Sequence, residues 1–187
     1  MKIYDCFMYL NEFELLELRL NELWDIVDHF VLVESPTSHT GILKPLYFEE
    51  KKESFAPYMD KIIHVIHELP HPREISGGAR AVERHQRDGA LEGISDADPD
   101  DIIMISDVDE IPRAEVLQRT IKSFVQPCVL NQTLYCYWLN CFYAKSWKGT
   151  AITKREWLDT PSIERIRKNG KHHKNKERPY ITVPNGG

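Results

Sequence analysis

The feature that most restricts how this chain can fold is a set of short apolar runs that do not alternate with polar residues. HFVLVE (29–34), KIIHVI (61–66) and IIMIS (102–106) carry apolar side chains at successive positions, and KIYDCFMY (2–9) reads as a further strand. Side chains on a strand point to opposite faces in turn, so a strand that is apolar throughout must be covered on both faces. That is the condition of a parallel sheet between layers of helix. Helical spacing appears between the runs. Phe13, Leu16, Leu20, Leu23 and Trp24 recur on one face, with Asn11 as N-cap and Glu14 completing a capping box. A second helix is expected over about 79–93 and a third over 114–124, with Pro112 near its start. Residues 128–146 read as one or two aromatic-rich strands. Residues 150–168 read as a short strand and a helix around Trp157 and Ile163, and residues 168–178 as a basic loop. The expectation is an α/β fold with a mostly parallel central sheet flanked by helices. Ligands in such sheets bind beyond the carboxyl ends of the strands.

Length and charge narrow the function. A chain of 187 residues is expected to form one domain, 1–187, and can bury roughly 70% of its unfolded surface without staples. With 24 basic and 29 acidic residues the net charge is −5, which argues against a nucleic-acid binder of the basic-patch type. No apolar run approaches the ~18 residues of a membrane span. The chain starts on a strand with no basic leader, so a cytoplasmic protein is expected. Cys6, Cys128, Cys136 and Cys141 form no CxxC pair and sit at no zinc-finger offset from a histidine; buried free thiols in a reducing compartment are expected.

The most informative segment is IIMISDVDEIP (102–112). Its apolar run carries the chain through the core to the sheet's carboxyl edge. Asp107 and Asp109 follow two residues apart, which on extended backbone puts them on one side. Two carboxylates there make an oxygen site for Mg²⁺ or Mn²⁺ with positions left for water and substrate phosphate. Without a cation they repel, and one tends to keep its proton. The bland reading is that both aspartates cap the turn before Pro112. Asp96, Asp98 and Asp100 have calcium-loop spacing, but Asp101 stands where the loop needs glycine, so that reading fails. A phosphatase nucleophile would follow the first strand of the sheet, not a late one.

Four ordered pieces resemble glycosyltransferase family 17: LNEFELLELRLNEL (10–23), FVLVESPTSHTGILKPLYF (30–48), ERHQRDGALEGI (83–94) and PDDIIMISDVDEIP (99–112). The resemblance implies a GT-A-like fold, a nucleotide-sugar donor (UDP-GlcNAc), a glycan or glycoconjugate acceptor, Mn²⁺ (or Mg²⁺) dependence and inversion at the anomeric carbon. It assigns the metal to Asp107 and Asp109. No anchor precedes residue 1, unlike the family's Golgi enzymes, so a bacterial or viral enzyme is expected. The family continues beyond Gly186-Gly187 with a Trp-His segment, so a C-terminal truncation is expected. A nucleotide-sugar- or carbohydrate-binding module of the same fold, impaired in turnover, is the alternative. A nucleotidyltransferase using two metals is a third reading.

Further candidates accompany the aspartates. Arg80, Arg84 and Arg87 share a helical face, and Arg84 and Arg87, with Asp88 nearby, are candidate donor contacts; the competing reading is a solvated face with Glu83 paired to Arg87. Glu34 ends the second strand and could accept from ribose or uracil, or fix the following loop. Glu110 joins Asp107 and Asp109 as a catalytic candidate, holding a water or positioning the acceptor, against a role as helix-dipole partner. Glu156, Asp159 and Glu164 are candidates for the general base an inverting transfer needs. His172 and His173, with Lys171 and Lys174, are candidate phosphate contacts or solvent-facing residues. Tyr135, Tyr137, Trp138, Phe142, Tyr143 and Trp147 are expected mostly in the core, with a sugar-stacking platform as the alternative.

Overall fold

The computed structural model describes residues 1–137, 141–158, 162–164, 166–167 and 180–187. Trp138, Asp159, Lys171, His172, His173 and Lys174 lie outside the described residues. The chain runs β1 (Ile3–Met8), α1 (Phe13–Leu23), β2 (His29–Glu34), α2 (Tyr47–Lys51), a 3-10 stretch Lys52–Tyr58, β3 (Ile62–Ile66), α3 (Ala79–Asp88) and α4 (Ala90–Gly93). It continues with β4 (Ile102–Asp107), α5 (Ala114–Lys122), β5 (Cys128–Tyr135), β6 (Phe142–Lys154), a 3-10 turn Arg155–Trp157 and β7 (Ile181–Val183).

The strands form one sheet in the order β3-β2-β1-β4-β6-β5-β7. Neighbours pair in parallel except at β6, which runs antiparallel to both β4 and β5. The fold is α/β and GT-A-like, and the sheet is mixed because of that one reversed strand. The reversal is local in origin: β5 and β6 are consecutive, and a short connection joins strands only antiparallel.

The non-alternating runs are explained by what covers them. Ile103 and Ile105 pack with Cys6, Val31, Val33, Ile94 and Ile163 on one face. Ile102 and Met104 pack with Phe7, Leu32, Leu20, Leu117 and Phe48 on the other. Each strand therefore loses water from both sides, and each fully buried aliphatic or aromatic side chain contributes about 1.5–3 kcal/mol. Among the described residues, no helix is long and apolar enough to cross a membrane.

The structure departs from the sequence expectations in four places. Helix α1 has Glu12 rather than Asn11 at its cap, with no side-chain capping bond. The Glu12 carboxylate instead accepts the backbone N–H groups of Leu10 and Asn11, both at 3.0 Å. The helix expected over 79–93 is broken at Gly89, where a Cβ would sit 2.6 Å from the His67 ring. Of the cysteines, Cys6 and Cys128 are buried, Cys136 is half-buried and Cys141 exposed; all four are free. The aromatics Tyr135, Tyr137, Phe142, Tyr143 and Trp147 are not core residues but stand exposed on the β5–β6 hairpin.

Candidate active site

From β1 the chain moves outward to β2 and β3, then returns to place β4 on the other side of β1. Connections therefore leave the carboxyl ends of β1 and β4 in opposite directions. Such a fork opens a crevice suited to a ligand. A cleft of about 570 Å³ lies there. Its walls are Met8 at the end of β1 and Tyr9 just beyond it, Thr37, His39 and Lys44 from the loop after β2, Gln86 of α3, and Asp107 and Asp109. A second cleft, about 250 Å³, lies on the other side of the acidic turn. It is lined by Leu15, Glu110, Leu134, Tyr135 and Trp147, and it shares Asp107 and Asp109 with the first.

Asp107 is the last residue of β4, and the chain then turns, with the Glu110 N–H donating to the Asp107 carbonyl at 3.0 Å. The two aspartates thus reach the same clefts through a turn rather than by strand alternation. The turn is held from both faces of the sheet. On one face, Arg19 of α1 is fully buried and forms a two-pronged pair with Asp5 of β1, Nε to Oδ2 at 2.7 Å and Nη2 to Oδ1 at 2.6 Å. Its Nη2 also donates to Ser106 Oγ at 2.6 Å. Its Nη1 donates to the carbonyls of Asp107, Val108 and Glu110 at 3.1, 3.1 and 3.3 Å. One guanidinium thereby fixes the backbone path that aims the carboxylates.

On the opposite face, Arg87 of α3 donates to Asp107 Oδ1 at 2.8 Å, to Glu83 at 3.0 Å and to Glu164. Burial opposes the Arg87 charge, but Asp107 and Glu164 outweigh it and hold the guanidinium above its ordinary value. Arg167 donates to Asp107 Oδ2 and, at 3.0 Å, to Glu110 Oε1. Glu110 is buried; Trp147 Nε1 donates to its Oε1 at 2.7 Å and the Asp107 N–H to its Oε2 at 3.0 Å. Its carboxylate braces the turn.

Asp109 differs from its neighbours. Its carboxylate is exposed to the clefts and has no side-chain partner among the described residues. Desolvation, then Asp107 and Glu110, push its carboxyl above the usual range. Tyr9 supplies a second unsatisfied group: its hydroxyl is buried at the first cleft and meets no hydrogen-bond partner among the described residues.

The other sequence candidates are distributed as follows. Glu34 is fully buried, bonded to the Phe48 N–H and to His64 at 3.2 Å and paired with Lys44 at 3.7 Å; it fixes the loop behind the cleft and does not line it. Asp88 accepts from Ser162 Oγ at 2.9 Å and the Glu164 N–H at 3.2 Å, tying down the helical residues that carry Glu164 and Arg167. Arg80 is exposed and Arg84 half-buried; neither lines a cleft, so the three arginines do not act as one face. Glu164 is buried against Arg87, while Glu156 is exposed and paired with Lys154 at 3.7 Å.

Sequence reasoning missed Arg19 and Asp5, although a signal existed: Arg19 interrupts the apolar face formed by Leu16, Leu20 and Leu23, and Asp5 interrupts an apolar strand. It also missed Tyr9, His39, Lys44 and Gln86, which no local pattern distinguishes.

Among the described residues, no three His, Cys, Asp or Glu side chains gather as a metal cage. The chemistry of the turn nonetheless suits a hard cation in part. Asp109 offers a carboxylate with no side-chain partner among the described residues. The Asp107 oxygens face the same turn, with Oδ1 accepting from Arg87 and Oδ2 from Arg167. A divalent ion bound through one or two carboxylates retains sites for water and phosphate.

Comparison with known proteins adds a family and relatives. A family model described as Glycosyltransferase family 17 matches residues 1–174. A stretch of 107 residues is 34% identical to the human β-1,4-mannosyl-glycoprotein 4-β-N-acetylglucosaminyltransferase, covering 54% of this chain and 20% of that protein. The rat and mouse proteins of the same name match over the same shares, at 34% and 33% identity. The match thus takes in about a fifth of the length of these relatives.

Proposed function

Because the chain belongs to glycosyltransferase family 17, we propose that it transfers N-acetylglucosamine from UDP-GlcNAc to a hydroxyl of a β-mannosyl glycan, with inversion at the anomeric carbon. The sugar and acceptor follow the names of its mammalian relatives. The observation that carries the reading is the cleft at the β1/β4 fork with Asp107 and Asp109 at its wall.

In this reading the nucleotide occupies the larger cleft. Lys44 brings a positive charge to the same cleft. The diphosphate lies at Asp107 and Asp109, where bound Mn²⁺ or Mg²⁺ would neutralise the charge that grows on the leaving group. Asp109 supplies the carboxylate that has no side-chain partner among the described residues. Asp107 is held in place by Arg87 and Arg167, and Arg19 holds the backbone beneath. The acceptor oxygen approaches the anomeric carbon opposite the departing diphosphate; the new C–O bond forms as the old one breaks, UDP leaves with the bonding electron pair, and the acceptor's hydroxyl proton is released to water. Holding both partners at one turn supplies the orientation such a displacement requires.

Titration calorimetry with UDP-GlcNAc, with and without Mn²⁺, tests this. Binding is expected to require Mn²⁺ and to be lost in Asp109→Asn. Equal binding without the ion, or in the variant, would remove the basis of the assignment.

A further inference from the structure

We infer that the second cleft and the aromatic surface of the β5–β6 hairpin form the docking site for the acceptor glycan, with pyranose rings seated on Tyr135 and Trp147. This rests on the proposed transferase reading and names where its second substrate lies. The first argument is position. The two clefts share Asp107 and Asp109 as a common wall, so a donor in the larger one presents its reacting end to an occupant of the smaller.

The second argument is composition. Leu15, Leu134, Tyr135 and Trp147 give the smaller cleft apolar walls, and Glu110 and Gln132 give it polar ones. A pyranose has matching character: a C–H face that packs on an aromatic ring and a rim of hydroxyls that hydrogen-bond. Asp109 disfavours a second phosphate there, and an uncharged sugar avoids that repulsion.

The third argument is exposure. Tyr135 is 48% exposed and Trp147 37%, and both line the smaller cleft. Grouped aromatic surface of this kind on a water-facing element marks a binding site. The rings next to the cleft are already oriented. Trp147 is held by its bond to Glu110 at 2.7 Å. Tyr135 packs edge-on against Phe142, with centroids 6.3 Å apart at 80°. A surface held in place before binding loses little freedom when the ligand arrives.

The test uses the full chain, with β-1,4-mannobiose as the acceptor probe and UDP-GlcNAc with Mn²⁺ as the donor probe. Saturation-transfer NMR is expected to show contact between the disaccharide and the protein. Tyr135→Ala is expected to weaken that binding roughly tenfold, as for an anchoring aromatic removed from an interface. Tyr135→Phe, which keeps the ring, should retain it, and donor affinity should be unchanged in both. If Tyr135→Ala binds the disaccharide like the parent chain, or if no contact is seen while the donor still binds, this inference is overturned and the donor assignment stands. If neither probe binds, both fall. Sedimentation showing a dimer that Tyr135→Ala separates would give the surface to a second copy and also overturn the inference.

Discussion

Replacing Arg19 by methionine probes the link between the core and the acidic turn. Arg19 and Asp5 are both fully buried and paired at 2.6 Å. Methionine fills similar space but leaves the Asp5 carboxylate in the core without its cation, and it withdraws the donors from three carbonyls of the turn. Breaking a buried ion pair from one side costs about 3–5 kcal/mol. With a urea slope of about 2 kcal/mol per M for a domain of this size, the unfolding midpoint should fall by about 1.5–2.5 M. Because the penalty comes mainly from the stranded charge, Asp5→Asn in the same chain should restore at least about 1 kcal/mol of it. The double variant then separates folding from positioning. Its turn still lacks the guanidinium, so Mn²⁺-dependent UDP-GlcNAc binding should remain about 10–100-fold weaker, as when the support of a metal ligand is removed. Urea unfolding followed by fluorescence, with calorimetry on the folded variants, measures both. A midpoint shift below about 0.5 M for Arg19→Met, or a double variant no more stable than the single, would refute the reasoning.

Other outcomes follow from the same geometry. The Asp109 carboxyl is raised in the folded state, so its ionised form opposes folding above the ordinary carboxylate range and has no effect once both states are protonated. Asp109→Asn should therefore raise the urea midpoint of the ligand-free protein at pH 7, with the gain fading as pH falls through that range; a gain independent of pH would contradict this. Arg87→Lys keeps a charge but not the fork that spans Asp107, Glu83 and Glu164. It should cost about 1–3 kcal/mol in chemical unfolding, and stability equal to the parent would show that the fork is not needed. Gly93→Ala puts a Cβ 2.4 Å from Val31 Cγ1, between α4 and β2. Overpacking of about 1–3 kcal/mol should appear as a lower melting temperature, and an unchanged one would refute it.

The sheet was legible where the chain is apolar on consecutive residues. Ile102–Asp107 and His29–Glu34 are strands because burial on both faces leaves a mark that no surface element carries. The acidic turn was legible because charge stops such a run abruptly. The hairpin aromatics were misjudged: composition records that Tyr, Phe and Trp cluster in 135–147 but not whether another layer covers them, and beyond the clefts these rings meet water. Arg19 was hidden because arginine among leucines reads as an edge of the apolar face, and its partner Asp5 is 14 residues away on another element. Glu34 and Asp88 sit at the expected ends of their elements, yet their hydrogen bonds serve the protein's own loops. Only the fold determines whether a carboxylate points to a neighbour or to a ligand.

The two clefts differ in how they are assembled. The larger draws its walls from residues 8–15, 37–44, 86 and 107–109, four stretches brought together by the whole parallel half of the sheet. The smaller takes most of its far wall from a single ribbon, residues 132–135 and 147. Changing the first means disturbing crossovers that also carry the core. Changing the second needs only a few substitutions, or a different tip, in one contiguous stretch of gene. Grafting another tip beyond Gln132 and Trp147, which pair across the ribbon, with Trp147 kept to hold Glu110, is thus a direct engineering route to altered selectivity on that side.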